Sequence, residues 1–165
     1  MDAIFACSYT GVMGRNGTIP WKKNTNDLQW FKSITENNAV VMGRKTYDDV
    51  MMPKPLKNRL NYVVTSNKID SALITSIQYN DIFEIDRQMT DIGKTLYVIG
   101  GPNLLSSLRN HINKIHVNFL KYHGNGVSID MEYFFTNHKI ITSMPTTFGT
   151  LCTFERYNGK RDFEQ

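Results

Sequence analysis

The sequence predicts an α/β fold: a single domain with a central, mostly parallel sheet flanked by helices and a C-terminal antiparallel hairpin. Three observations predict it. Short apolar runs alternate with helix-period segments through the first two thirds of the chain. Two of those runs, Val41-Met42-Gly43-Arg44 and Val98-Ile99-Gly100-Gly101, pass through glycine turns into helical patterns. The last third then carries strand patterns alone. At 165 residues the chain suits one domain with its own core, and no repeat or linker divides it.

Residues 2–9 read as a buried strand. The loop 10–21 carries Gly11, Gly14 and Gly17, and loops this long in compact domains often have functional roles. Residues 26–36 read as a helix that ends before Asn37-Asn38. Ala39-Val40-Val41-Met42 is a β-branched strand, followed by a helix over 45–52 that Pro53 stops. Strands follow at 60–64 and 73–77. Ile82, Ile85 and Met89 mark a helix over 81–89. Residues 95–99 form a buried strand, and Pro102 suits the first turn of a helix over 102–110. Residues 114–121 read as a strand. Residues 139–144 and 151–157 pair across Pro145 and Gly149.

Hydrophobic residues make up 41% and charged residues 21% of the chain, which excludes a disordered or coiled-coil protein. No apolar run reaches membrane-spanning length and Met1-Asp2-Ala3 opens no signal peptide, so the expected location is cytoplasmic. Cys7 and Cys152 read as reduced, buried thiols. The four histidines lack a metal-ligand spacing, so no metal is expected. The net charge of +4 favours anionic partners, but the basic residues are dispersed. That pattern fits a small anionic ligand rather than nucleic acid.

In a parallel sheet the turns after Met42 and Ile99 lie at the carboxyl edge, where ligands bind. Each offers backbone N–H groups at a helix N-terminus, suited to phosphate. Arg44 and Lys45 add charge to the first turn, and Thr65, Ser66 and Lys68 mark a third strand end. Three anion-friendly strand ends suggest a ligand with several phosphates. GxGxxG is absent, and a glycine after a strand is also plain turn geometry, so no single turn carries the assignment.

Asp27 sits on an apolar segment, four residues from Phe31 and so on the same helix face. One reading makes it a first-turn acid that helps start the helix. The other makes it a carboxylate that pairs with a flat, nitrogen-rich ring stacked on Phe31. Burial would raise its pKa and the helix N-terminus would lower it.

Ile19-Pro20-Trp21, Asp27-Leu28 with Trp30-Phe31-Lys32, Val41-Met42-Gly43-Arg44 with Thr46, Arg59, and Val98-Ile99-Gly100-Gly101 together resemble the dihydrofolate reductase family in order and spacing. The resemblance implies hydride transfer from NADPH to dihydrofolate, giving tetrahydrofolate for one-carbon metabolism and thymidylate synthesis. Asp27 would then promote protonation of the pterin with help from Trp21. Phe5, Ala6, Cys7, Leu28, Phe31, Val50 and Leu56 would line the substrate pocket, and Arg59 would pair with the glutamate carboxylate of folate. Met13, Gly14, Thr18, Ile19, Gly43, Arg44, Lys45 and Thr46 would meet the cofactor, as would Cys7, Gly100, Gly101, Asn103, Leu104 and Leu105. Thr65 and Ser66, with Arg44, would recognise its 2′-phosphate. The same resemblance implies a cis Gly100–Gly101 bond and a mobile loop from Gly11 to Thr18 over the nicotinamide.

Asn118 stands where the family usually has a threonine bonded to the acid, and Leu105 where many members have a tyrosine. A related pyrimidine reductase on the same fold, or a non-catalytic structural relative, are the alternatives. The spacing from Trp21 to Asp27 and the presence of Arg59 argue against the first, and the retention of Asp27, Arg44, Arg59 and Gly100-Gly101 argues against the second. The expected state is a monomer.

Overall fold

The computed structural model describes residues 1–157. Ten strands and five helices follow in order: β1 (Asp2–Ser8), β2 (Val12–Gly14), α1 (Thr25–Thr35), β3 (Ala39–Gly43), α2 (Arg44–Asp48), β4 (Leu60–Val64), β5 (Ile74–Ile77), α3 (Asp81–Asp91), β6 (Leu96–Gly100), α4 (Pro102–Leu108), β7 (Lys114–Leu120), β8 (Val127–Ser128), α5 (Met131–Phe135), β9 (His138–Thr146) and β10 (Gly149–Arg156). Eight strands form one sheet in the order β5-β4-β3-β6-β1-β7-β10-β9. The first six in that order pair in parallel. β10 runs antiparallel to both β7 and β9, which makes the final hairpin.

The period of two along each strand sends alternate residues to opposite faces. Ala3, Phe5 and Cys7 of β1 join Val41, Val98 and Val117 in one core cluster, packed with Ile82, Ile85, Leu105 and Leu108 from α3 and α4. Ile4 of β1 faces the other way. It joins Val40, Met42, Tyr97 and Ile99, covered by Trp30, Phe31 and Ile34 of α1. Both faces of the sheet are thus closed by helices, and the central strands β3 and β6 are buried almost throughout.

The chain order places the carboxyl ends of β3, β6, β1 and β7 side by side. Gly43, Gly100, Ala6 and Asn118 therefore meet at one edge, with Met42 opposite Gly100 and Ala6 opposite Asn118. The Gly100–Gly101 bond is cis, as the resemblance implies, and Lys54–Pro55 is cis as well.

Two boundaries differ from the sequence expectation. The helix expected over 45–52 ends at Asp48, because Asp49 turns extended (ψ 127°) and its carboxylate takes the Met51 N–H at 2.8 Å. The helix expected over 102–110 ends at Leu108 and tightens into a 3₁₀ turn over Arg109–His111. The loop over 10–21 contains β2, which pairs with β8. At Gly11 (φ +89°) a Cβ would stand 2.5 Å from Ile129 O, so the two segments approach closely only because glycine is there.

Candidate active site

Asp27 occupies the first turn of α1, but the cap there is Asn24. The Asn24 side chain accepts from the backbone N–H of Asn26 at 2.9 Å and of Asp27 at 3.3 Å. The Asp27 carboxylate is thereby free of capping, and it turns toward the sheet. Its Oδ1 accepts from Asn118 Nδ2 at 2.7 Å. Burial pushes its pKa up from the usual carboxylate value, and the Asn118 hydrogen bond works against that rise.

Asp27 lies on the wall of a cavity of about 880 Å³ that runs along the carboxyl edge of the sheet. Phe5 and Ala6 of β1 form its floor, with Leu28 and Phe31 of α1 beside the acid. Trp21 packs edge-on against Tyr122, with ring centroids 6.2 Å apart, and lines the same space. Met13, Gly14, Thr18 and Ile19 bring the glycine loop onto the wall. Across from them stand Gly43, Arg44, Lys45 and Thr46, then Gly100, Gly101, Asn103 and Leu104.

The second half of the cavity fits a phosphate-bearing ligand. Gly43 and Gly101 are the N-caps of α2 and α4, and neither helix start has a side-chain cap bond. The open backbone N–H groups of both therefore face one space. A Cβ at Gly100 (φ +137°) would come 3.3 Å from Thr46 Oγ1, so the two turns meet closely. Arg44 spans from here into an adjoining depression of about 550 Å³. There its Nη1 donates to Thr65 Oγ1 and to the Asn67 carbonyl, both at 3.2 Å, and its Nε to Asp48 at 3.1 Å. Thr65 and Ser66 line that depression rather than the main cavity.

Arg59 stands just before β4, away from the cavity lining, and its Nη1 donates to Thr35 Oγ1 at 3.1 Å. Its Nε is buried with no hydrogen-bond partner among the described residues. Desolvation lowers its pKa and Glu36 opposes that shift. A half-buried guanidinium with spare donors is suited to a carboxylate.

Five further positions expected at the site lie off the wall. Cys7 and Leu105 are fully buried in the core, because strand alternation and helix phase turn them inward. Burial pushes the Cys7 thiol up to about 12, which leaves it neutral. Leu56 is buried in the other core cluster, where its backbone pairs with Asn61. Val50 is 85% exposed, since α2 ends before it, and Met51, Met52 and Pro53 take the wall in its place. Asn118 lies behind Asp27 rather than on the wall.

The wall also holds residues that the sequence did not single out, among them Arg15, Lys23, Asp49, Val64, Tyr79 and Val127. They come from loops and from strand ends remote in sequence, and only the acid at 49, next to a basic turn, gave any signal. Among the described residues no group of three or more metal-ligating side chains occurs.

A cavity with phosphate-ready turns at one end and a half-buried carboxylate among aromatic rings at the other defines a nucleotide-dependent enzyme acting on a flat heterocycle. The sequence profile of the dihydrofolate reductase family matches residues 1–145. The type 8 dihydrofolate reductase of Escherichia coli is 31% identical over 127 residues, covering 73% of this chain and 74% of that protein. The dihydrofolate reductase of Bacillus subtilis is 29% identical over 143 residues, covering 85% of this chain and 80% of that one. The solved dihydrofolate reductase from Enterococcus faecalis, complexed with NADP(H) and RAB-propyl, superposes with a TM-score of 0.79 at 25% identity. That match covers 95% of this chain and 96% of the other. The chain belongs to the dihydrofolate reductase family. It is an NADPH-dependent enzyme of that family's reaction, the reduction of 7,8-dihydrofolate to 5,6,7,8-tetrahydrofolate.

Proposed function

We propose that the reduction takes place in the 880 Å³ cavity, with Asp27 promoting protonation of the pterin ring that is reduced there. The observation that carries this is the placement of Asp27: a half-buried carboxylate, held by Asn118 at 2.7 Å, on the wall that the turns after β3 and β6 also reach. Reduction adds a hydride to carbon and a proton to the adjacent ring nitrogen. NADPH, when bound, supplies the hydride. Asp27 supplies the anchoring side of the chemistry. Its carboxylate can accept two hydrogen bonds from an amidine-like ring edge, which fixes the pterin against Phe31 and Leu28. Burial keeps its proton affinity high, so it favours proton uptake by the ring it holds, through water beside Trp21.

Arg44, Lys45 and Thr46 with the open N–H groups at Gly43 and Gly101 are suited to the cofactor phosphates. Arg44, Thr65 and Ser66 are suited to its 2′-phosphate. Arg59 serves the carboxylate of the substrate's glutamate. The reading takes the protein as a cytoplasmic monomer that acts on small ligands and needs neither nucleic acid nor membrane. Its dispersed basic residues support that, and among the described residues no helix is long and apolar enough to cross a membrane.

The test is NADPH oxidation with and without dihydrofolate, in the native protein and in Asp27→Asn. We expect substrate-dependent loss of nicotinamide absorbance. At neutral pH Asp27→Asn should lower hydride transfer by about 100-fold or more, and by less at acid pH, where the substrate arrives already protonated. An equal loss at every pH removes the proton-promoting role from Asp27.

A further inference from the structure

Asn118 is fully buried on β7, between Ala6 of β1 and Leu151 of β10. One end of its carboxamide, Nδ2, donates to Asp27 Oδ1 at 2.7 Å. The other end, Oδ1, is buried and has no hydrogen-bond partner among the described residues. That oxygen lies against Gly149, the first residue of β10. A Cβ at Gly149 would collide with Asn118 Oδ1 and stand 2.9 Å from both Asn118 Cγ and Phe119 O. Gly149 has a φ of +145°, and neither it nor Asn118 reaches the cavity wall.

The two ends of a carboxamide are chemically opposite: the NH₂ group only donates and the oxygen only accepts. A hydroxyl in the same place could donate to a carboxylate or accept from a carboxylic acid. With the amide reversed, two acceptor oxygens would face each other at hydrogen-bond distance, which is tolerated only when Asp27 carries a proton. The observed orientation leaves the oxygen unpaired on the Gly149 side, where there is space for it because no side chain stands there.

We propose that Gly149 is a positioning residue for the reaction: by presenting no side chain, it leaves room for the Asn118 carboxamide, which aims a pure donor at Asp27. The proposal rests on the role assigned to Asp27 above. It makes the turn between β9 and β10, which lies off the cavity wall, a determinant of how the acid is held. Burial and the Asn118 bond are the causes of the Asp27 shift, and they oppose each other. The other groups around the carboxylate bring little charge. β1 offers Cys7, a neutral thiol, while Phe119 and Leu151 flank Asn118 on β7 and β10. On α1 itself Lys32 pairs with Glu36 at 3.8 Å. Arg15, Lys23, Arg44, Lys45 and Asp49 line the cavity but are not among the causes of the Asp27 shift.

The experiment is the pH profile of hydride transfer, by stopped flow under single turnover, in the native protein, Asn118→Ala, Gly149→Ala and the double variant. Loss of the donor should move the midpoint to higher pH in Asn118→Ala by about half a unit or more. Gly149→Ala should move it the same way, because its Cβ evicts the carboxamide. In the double variant the shift should equal that of Asn118→Ala alone, since no carboxamide is left to evict, while the added Cβ still crowds Phe119 O. A native midpoint in Asn118→Ala overturns the proposal. So does a Gly149→Ala effect that is absent, or that adds fully to the Asn118→Ala effect. If Gly149→Ala fails to fold, a folded double variant supports the proposal; a double variant that also fails assigns Gly149 to backbone conformation alone and overturns it. Asp27→Asn separates the two readings. If it keeps the native pH profile, the role of Asp27 fails. If it loses that profile while Asn118→Ala keeps it, only the present inference fails.

Discussion

The hydroxyl of Thr18 donates to Asp49 Oδ1 at 2.9 Å, joining residues 31 apart in sequence across the mouth of the cavity. The same carboxylate oxygen holds the Met51 N–H at 2.8 Å, so the receiving side is fixed by the end of α2. The glycine loop is therefore hooked to the far wall by one side-chain bond. Thr18→Val keeps the shape and removes the donor. A hydrogen bond to a charged group is worth about 1.5–3 kcal/mol, and partial exposure puts this one at the lower end, so about a tenfold change follows. We expect NADPH to dissociate up to about tenfold faster in stopped-flow displacement. An unchanged rate would show that loop closure does not run through this bond.

Arg44 reaches Thr65 Oγ1 and the Asn67 carbonyl at 3.2 Å, at the edge of the adjoining depression. Its fork is pre-set there by the Asp48 contact at 3.1 Å. An anion entering the depression would find the guanidinium already aimed. For Arg44→Ala the KM for NADPH should rise about 10-fold to 100-fold, the range of a charge-assisted hydrogen bond. The KM for NADH, which lacks the 2′-phosphate, should stay close to native. A parallel rise for both cofactors would place Arg44 on the shared diphosphate instead.

The spare donors of Arg59 give a matching expectation for the substrate. Its Nε is buried and unpaired among the described residues, while Nη1 is braced by Thr35. Arg59→Ala should weaken folate binding by about tenfold or more, with NADPH binding unchanged. Arg59→Lys should recover little of it, because an ammonium cannot grip a carboxylate in two places. Fluorescence titration of each ligand checks both. Folate affinity that survives Arg59→Ala would assign the carboxylate to another cation.

Much of this site was legible in the sequence because its framework is made of local signals. The runs at 39–42 and 95–99 declare buried parallel strands, and a glycine after each marks where the backbone becomes available to a ligand. Asp27 was legible as a carboxylate out of place on an apolar face, although composition could not tell a cap from a reagent. That choice turned on Asn24, whose side chain takes the capping bonds. What stayed hidden depends on distant pairing. β2 and β8 are three and two residues long, too short for any periodicity, and exist through each other. The helix α5 has five residues, started by the Asp130 side chain on the Tyr133 N–H. Val50 was misplaced for a related reason. The Asp49 carboxylate ends α2 through its own turn, four residues before Pro53, the stop that composition points to, and the wall passes to Met51 and Met52.

Two histidines, buried His138 and half-buried His116, bear on the acid stability of the fold. His138 is 7% exposed; its Nε2–H donates to the Ile112 carbonyl at 2.9 Å and its buried Nδ1 has no hydrogen-bond partner among the described residues. His116 Nδ1 lies 3.3 Å from Thr153 Oγ1. Burial lowers both pKa values from 6.5; Asp2 opposes the shift at His116, and Arg156 adds to it at His138. Below pH 6.5 the unfolded chain binds protons at these rings that the folded protein refuses. Stability then falls as pH drops, until the folded rings themselves protonate. Asp27 acts with the opposite sign. Its raised pKa lets the folded state take up a proton first, which adds stability at lower pH, nearer the usual carboxylate range. Thermal unfolding between about pH 7.5 and about 5.5 should therefore show Tm declining on acidification from about 6.5. The double variant His116→Gln/His138→Gln keeps hydrogen-bonding capacity and cannot titrate. Its Tm at pH 7.5 should be lower than native, but its decline across that range should be flatter. An equally steep decline would move the acid sensitivity to other groups.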